Sequence, residues 1–144
     1  MMAQNIETDW QQDLGTGVDE VDVEHQLQIR LVQSLREAVA AGQPAPVLAE
    51  LLTRLEDTSN VHFMSEELLM RLHSWERYDL HTEEHRRLLE ELQALRKIFE
   101  REDRVELAAA VERLKGWLSG HIRGMDRAFA TYVSRGGLAS TSAG

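Results

Sequence analysis

Histidines and carboxylates stand at positions where helix-forming segments would otherwise carry leucine or valine. His62 and Glu66 are four residues apart, and His81 and His85 have the same spacing. On a helix this spacing places two side chains on one face, one turn apart, where both can reach a single metal ion. His121 adds a further imidazole. The pattern predicts a metal site built from imidazole and carboxylate ligands.

Two more residues complete this set of seven. His25 supplies a ligand from an earlier segment, and Asp126 follows His121 by five residues. On a straight α-helix, five residues turn about 140° around the axis. Asp126 therefore cannot bind the same ion from the same helix face as His121. A short carboxylate that bridges toward a second ion would tolerate this offset better.

A single inward histidine is usually a packed core residue. The metal-site interpretation therefore depends on several histidines and carboxylates sharing inward positions. Five of the six histidines fall on inward helix faces together with two carboxylates. A buried, unpaired imidazole or carboxylate costs several kcal/mol, and metal coordination would compensate that cost. The sixth, His73, lies about 16 Å further along the helix than His62 and is interpreted as a helix-end residue.

The types of ligand limit which metals the site could bind. Imidazole and carboxylate without thiolate suit iron, manganese, zinc or copper, and the chain has no cysteine. Seven ligands are too many for one ion, so the site should hold two. Two six-coordinate ions offer roughly twelve positions. The histidines, two bridging carboxylates and a shared oxo or hydroxo bridge fill all but about one, which leaves room for one small exogenous molecule.

The elements that must position these ligands are helices, because apolar residues recur at three-four spacing and strand alternation is absent. The predicted helices span about 19–41, 46–73, 80–101 and 103–133. Gly42 is the expected C-cap of the first and Asp103 the expected N-cap of the fourth. The predicted inward stripes are His25, Gln28, Val32, Leu35 and Val39; Leu48, Leu51, Leu55, Thr58, His62, Glu66 and Leu69; His81, His85, Leu88, Leu92, Leu95 and Phe99; and Leu107, Val111, Leu114, Leu118, His121 and Met125.

Four amphipathic helices with short connections predict an all-α fold, an antiparallel up-down four-helix bundle. The bundle would occupy residues 19–133. Residues 1–18 would form an N-terminal arm, and the Gly/Ser-rich residues 134–144 a flexible tail.

Composition limits the partners. The chain has 144 residues, about one domain, with 25 acidic residues against 16 Lys and Arg and a formal charge of −9. This balance argues against binding to nucleic acid or to an anionic membrane surface. The chain shows no apolar run of roughly 20 residues that could span a bilayer and no secretory signal, so a cytoplasmic location is expected.

The spacing of these ligands is similar to that of a known family. The matching segments are GVDEVDVEH (17–25), HFMSEELLM (62–70), HTEEH (81–85) and HIRGMD (121–126), with Trp10 in the arm. In this order the chain resembles bacterial hemerythrins, the non-haem di-iron proteins that bind dioxygen. Each segment alone is a weak signal, and the combined set is specific.

The resemblance implies a role for each ligand. One iron would be held by His81, His85 and His121. The other, which keeps the open position, would be held by His25 and His62. Glu66 and Asp126 would bridge the two irons. The implied function is reversible dioxygen binding for storage, delivery or sensing, without enzymatic turnover and with no protein partner identified.

The resemblance also implies the walls of a dioxygen pocket. Phe63, Trp117, Leu118 and Ile122 match the family's apolar pocket residues, although each could equally be plain core packing. Gln28 departs from the family, which usually has an apolar residue three positions after the first ligand histidine. Its amide either faces the open iron, where it could hold a water or hydrogen-bond the bound molecule, or turns into the seam between helices.

Two alternative functions remain open from the sequence. A weak di-iron peroxidase or oxidase is one, although such bundles use Glu-x-x-His motifs and none occurs among these ligand positions. An oxygen- or redox-sensing regulatory module is the other.

Overall fold

The computed structural model of the protein describes residues 19–136. Over these residues the chain is helical and contains no strand, which confirms the all-α prediction. The elements are α1 (Asp19–Ala40), α2 (Ala45–Leu72), α3 (Tyr78–Glu100), α4 (Arg104–His121), a π-helical turn (Ile122–Asp126) and α5 (Arg127–Ser134). The predicted arm lies outside the described residues, as does the predicted tail 134–144 except for its first three residues, of which Ser134 ends α5. No helix between residues 19 and 136 combines the length and apolar character needed to cross a bilayer.

The helix ends follow local sequence signals. Gly42 follows α1 with a φ of +68°, and its N–H donates to the carbonyl of Val39. The N–H of Gln43 reaches the carbonyl of Ala38, which completes a Schellman turn. Asp103 accepts a hydrogen bond from the N–H of Glu106, three residues on, at 3.0 Å. Both predicted caps are therefore confirmed.

The four long helices form a closed square in which each packs against its neighbours in sequence and α1 packs against α4. Pairing across α1 and α2 shows that they run antiparallel, since Glu24 meets His62 and Gln28 meets Ser59. Residue numbers rise on one helix as they fall on the other. The bundle is thus up-down, as the short connections predicted.

One end of the bundle interior is filled by leucine, valine and isoleucine. The residues buried there include Val32, Leu35, Leu52, Leu55, Leu92, Leu95, Val111 and Leu114. A smaller cluster at the opposite end packs Trp75 and Met70 against Phe129. Between these two clusters lies the region that holds the predicted ligands.

The predicted inward stripe is confirmed throughout α1 and shifts by one residue at several places elsewhere. The buried residues are Leu52, Ser59, Met70 and Ile98 in place of the predicted Leu51, Thr58, Leu69 and Phe99. A helix has 3.6 residues per turn, so a stripe read at regular three-four spacing drifts off the buried face over a long helix. The shift matters at one position, because it buries Ser59 beside the candidate site.

Candidate metal centre

All seven predicted ligands lie in one buried cluster to which α1, α2, α3, α4 and the π turn contribute. Each is at most 3% exposed. The residues are His25, His62, Glu66, His81, His85, His121 and Asp126. The sixth histidine, His73, follows the end of α2 and lies outside the cluster, as predicted.

The π turn explains how Asp126 joins the cluster. A π-helical turn closes hydrogen bonds between residues five apart, whereas an α-helix closes them four apart. Residues 122–126 take this wider turn, so Asp126 stands one turn after His121 with its Oδ1 2.9 Å from the His121 Nε2. On the straight helix predicted from the sequence, Met125 would lie inward. Met125 is in fact only half-buried, and Asp126 takes the inward position.

The ligand atoms form two groups that could each hold a metal ion, with the atoms of each group within 4.8 Å of one another. One group contains His81, His85 and His121, and the other contains His25 and His62. Glu66 and Asp126 belong to both groups.

The two shared carboxylates each direct one oxygen to each group. Asp126 Oδ1 lies 2.7 Å from His81 Nε2, and Asp126 Oδ2 lies 2.7 Å from His25 Nε2. Glu66 Oε1 lies 2.9 Å from the Nε2 atoms of both His81 and His85, and Glu66 Oε2 lies 4.0 Å from His25 Nε2. A carboxylate that spans two ligand groups in this way can bridge two cations.

Three glutamates that the sequence analysis missed support the ligands from outside. Glu24 lies 2.6 Å from His62 Nδ1, Glu67 lies 2.9 Å from His85 Nδ1, and Glu84 lies 2.5 Å from His121 Nδ1. Such carboxylates fix the tautomer of a metal-binding histidine, because the N–H that donates to the carboxylate leaves the other nitrogen as the ligand atom. Each glutamate sits next in sequence to one ligand but supports a ligand on a neighbouring helix.

The donor set fits a cation. His85 Nε2 and His121 Nε2 face each other at 3.1 Å, while each ring turns its Nδ1 to a glutamate. When each Nδ1–H donates to its glutamate and both Nε2 atoms are unprotonated, two lone pairs point at one another, and a proton or a metal cation between them removes the conflict. His62 Nε2 is also buried without a hydrogen-bond partner among the described residues.

The electrostatics of the cluster also call for positive charge. Burial lowers the pKa of His121, but Asp126, Glu84 and Glu66 outweigh it and raise that pKa to about 10. Burial likewise opposes protonation of His81, whose pKa is nevertheless raised to about 8 by Asp126 and Glu66. Burial alone would raise the pKa of Asp126, yet the neighbouring histidines hold it well below its usual range. Without metal, protons on the imidazoles supply the charge that cations would otherwise supply.

Three of the four predicted pocket residues are buried, and one of these contacts a ligand ring. Phe63 stacks on the ring of His85 with centroids 4.2 Å apart, and Leu118 and Ile122 are buried in the adjoining core. Trp117 differs from the expectation, since it is 48% exposed. It lines a surface cavity of about 360 Å³ on the outer side of His121. Leu118 takes the inward position because successive helix residues point about 100° apart.

Gln28 is fully buried, and its amide nitrogen reaches across the seam between α1 and α2 to the Ser59 hydroxyl at 3.0 Å. Its amide oxygen has no hydrogen-bond partner within the part of the chain that the structure describes. The amide nitrogen thus forms a hydrogen bond between α1 and α2, and the amide oxygen is an unpaired acceptor among the described residues.

The chain is similar to known proteins over most of its length. Residues 16–133 match the family model described as "Hemerythrin HHE cation binding domain". The chain is 31% identical over 126 residues to the bacteriohemerythrin of Stenotrophomonas maltophilia, an alignment that covers 86% of this chain and 80% of that one. It is 29% identical over the same shares to the bacteriohemerythrin of Pseudomonas aeruginosa. No solved structure matches the chain.

Proposed function

Because the chain belongs to the hemerythrin HHE cation-binding domain family, we propose that it binds dioxygen reversibly at a pair of non-haem iron ions. The observation that carries the proposal is the sharing of two buried carboxylates between two groups of histidines. A site for a single ion would not need Glu66 and Asp126 to direct separate oxygens to opposite sides.

The geometry supports a division of ligands between the two ions. His81, His85 and His121 would hold one ion, and His25 and His62 would hold the other, with Glu66 and Asp126 between them. The second ion would receive one histidine fewer and would therefore keep the open position. When bound, the iron pair supplies the electrons by which dioxygen is held and later released.

The chain's own residues would keep the site dry and the ligands fixed. Phe63, Leu118 and Ile122 are each at most 3% exposed. Phe63 also stacks on the ring of His85 and covers it with apolar surface. Glu24, Glu67 and Glu84 hold three of the histidine rings in place. A dry, rigid site favours release of an intact small molecule over reaction with water or with a larger substrate.

We propose a binding protein rather than an enzyme, because five of the seven ligands are imidazoles and the ligand set lacks the Glu-x-x-His pairs of carboxylate-rich oxidases. Whether the protein stores, delivers or senses dioxygen depends on its affinity for dioxygen and on the rate at which it releases dioxygen. We also propose that the protein acts in the cytoplasm.

Optical spectroscopy of the reduced, iron-loaded protein tests this function. Exposure to dioxygen should produce a new absorption band that disappears on degassing and returns on re-exposure. A control preparation with Asp126→Ala should show no such band. Immediate conversion to the ferric state without a reversible band would contradict reversible binding and favour the oxidase or sensor alternative.

A further inference from the structure

Gln28 and Ser59 form a polar pair at the boundary between the ligand cluster and the apolar core. Both are buried, at 0% and 2% exposure, and the amide nitrogen of Gln28 donates to the Ser59 hydroxyl at 3.0 Å. Their buried neighbours along the same helices, Val32 and Leu55, belong to the apolar core. A hydrogen-bonded pair here needs a reason beyond packing, because apolar residues of similar size would fill this space without desolvation cost.

The pair lies beside one particular metal position. Gln28 is one helical turn after His25 on α1, and Ser59 is one helical turn before His62 on α2. Because α1 and α2 run antiparallel, these two steps lead in the same direction along the bundle. The polar pair therefore adjoins the group of His25 and His62, the group that would hold the ion with the open position.

One polar atom of the pair remains unused. Among residues 19–136, the amide oxygen of Gln28 has no hydrogen-bond partner although the side chain is fully buried. The amide nitrogen is held at the Ser59 hydroxyl, so the amide oxygen is directed away from Ser59. A buried acceptor without a partner is costly, and it indicates a donor that binds at this place.

We propose that the Gln28 amide oxygen, held in orientation by Ser59, is the acceptor of a ligand subsite beside His25 and His62 that takes small molecules carrying an O–H or N–H group, with water as the resting occupant. This inference extends the proposed function, since the subsite adjoins the proposed open iron. The subsite disfavours anions that carry no proton, because binding them displaces the water and leaves the Gln28 oxygen unpaired.

Azide, an anion without a donor group, is the probe for the iron-loaded ferric protein. Gln28→Leu removes the acceptor, so displacement of the water no longer leaves a buried oxygen without a hydrogen bond. We expect about a tenfold gain in azide affinity, the fold-change that corresponds to one unpaired buried acceptor. Ser59→Ala frees the amide to turn away and should give a smaller gain in the same direction. Affinity is measured by optical titration at fixed pH.

Gln33→Leu is the matched control, because it makes the same substitution on the outer side of α1, where Gln33 contacts Glu37. Its azide affinity should equal that of the parent protein. Affinity for azide in Gln28→Leu within twofold of the Gln33→Leu value would overturn the proposal.

A crystal structure gives a readout that does not depend on iron. Water within hydrogen-bonding distance of the Gln28 amide oxygen, absent in Gln28→Leu, supports the subsite, whereas a dry amide overturns it. Metal analysis of the same preparation separates the two hypotheses. A protein that takes up no iron contradicts the proposed function, while the position of the water still decides the role of Gln28.

Discussion

The two halves of the bundle interior are lined by the same four helices but are stabilised in different ways. In the apolar half, Val32, Leu52 and Val111 are fully buried, and each contributes through the area it removes from water, about 1.5–3 kcal/mol per side chain. In the ligand half, seven buried side chains are imidazoles or carboxylates. These contribute only when their charges and hydrogen bonds are satisfied.

The difference teaches that the fold and the site make separate demands on the sequence. The apolar half requires only leucine- and valine-like residues at helical spacing, and it tolerates exchanges of similar volume. The ligand half requires particular atoms at particular places, which the bundle achieves with a π turn and three outer glutamates. Perturbations should therefore separate into those that change stability alone and those that change metal binding.

Metal removal should give the largest effect, because it acts on the whole ligand half at once. At a metal concentration a thousand times the Kd, bound metal adds about 4 kcal/mol to the free energy of unfolding. Removal with a chelator should lower the Tm by roughly 10–20 °C for a chain of this size. The helical circular dichroism signal should persist at low temperature, because the apolar half does not need metal. An unchanged Tm after verified metal loss would contradict this account of the ligand half.

Leu52→Ala tests the apolar half, where a substitution should lower stability without changing metal binding. The free energy of unfolding should fall by about 3 kcal/mol, because a fully buried leucine leaves a cavity. Metal content should remain that of the parent, and the loss should be equal with and without metal. Leu68→Ala, at a position that is 50% exposed on α2, is the control and should change the unfolding free energy by less than about 0.5 kcal/mol.

Glu84→Ala should have a smaller effect, confined to the ligand half. Loss of the carboxylate that orients His121 should weaken metal affinity about 10–100-fold, measured by competition with a chelator. The neighbouring Glu83 pairs with Arg86 on the surface, so Glu83→Ala is the matched control and should leave metal affinity unchanged. Equal losses in the two variants would show that general surface charge, and not the orientation of His121, governs affinity.

The smallest effect should come from backbone preference, which is independent of both halves. Gly116 lies within α4, and a Cβ added there meets no atom within 4 Å. Gly116→Ala should raise the free energy of unfolding by about 0.5–1 kcal/mol without altering metal content. The same change at Gly42, where φ is +68°, should destabilise the protein because that conformation is strained for alanine. Urea denaturation with metal analysis measures both variants.

The fold was predictable because helix periodicity and end signals are local. Gly42 and Asp103 act within a few residues of their own positions, so sequence spacing was sufficient to find both caps. Six of the seven candidate ligands could be identified in the same way, since each is a polar residue on a predicted apolar face, whereas Asp126 falls off that face on a straight helix. Stripe positions drifted by one residue within α2 and α3, because regular spacing only approximates 3.6 residues per turn.

The geometry of the site depends on contacts between helices, which spacing does not encode. The offset between His121 and Asp126 led to a prediction based on a straight helix, whereas the π turn removes the offset. Glu24 adjoins His25 in sequence but supports His62, because the rotation of α1 against α2 decides which ring it meets. Trp117 faces outward for the same reason, since helix rotation places Leu118 inward instead.

Metal uptake by the metal-free protein tests the central claim most directly. Titration with ferrous iron under nitrogen, followed by metal analysis of the separated protein, should end at about two irons per chain. Asp126→Ala should lose uptake at both positions, because its two oxygens face both groups of histidines. An end point of one iron per chain in the parent protein, or retention of two in Asp126→Ala, would contradict a two-ion centre that shares this carboxylate.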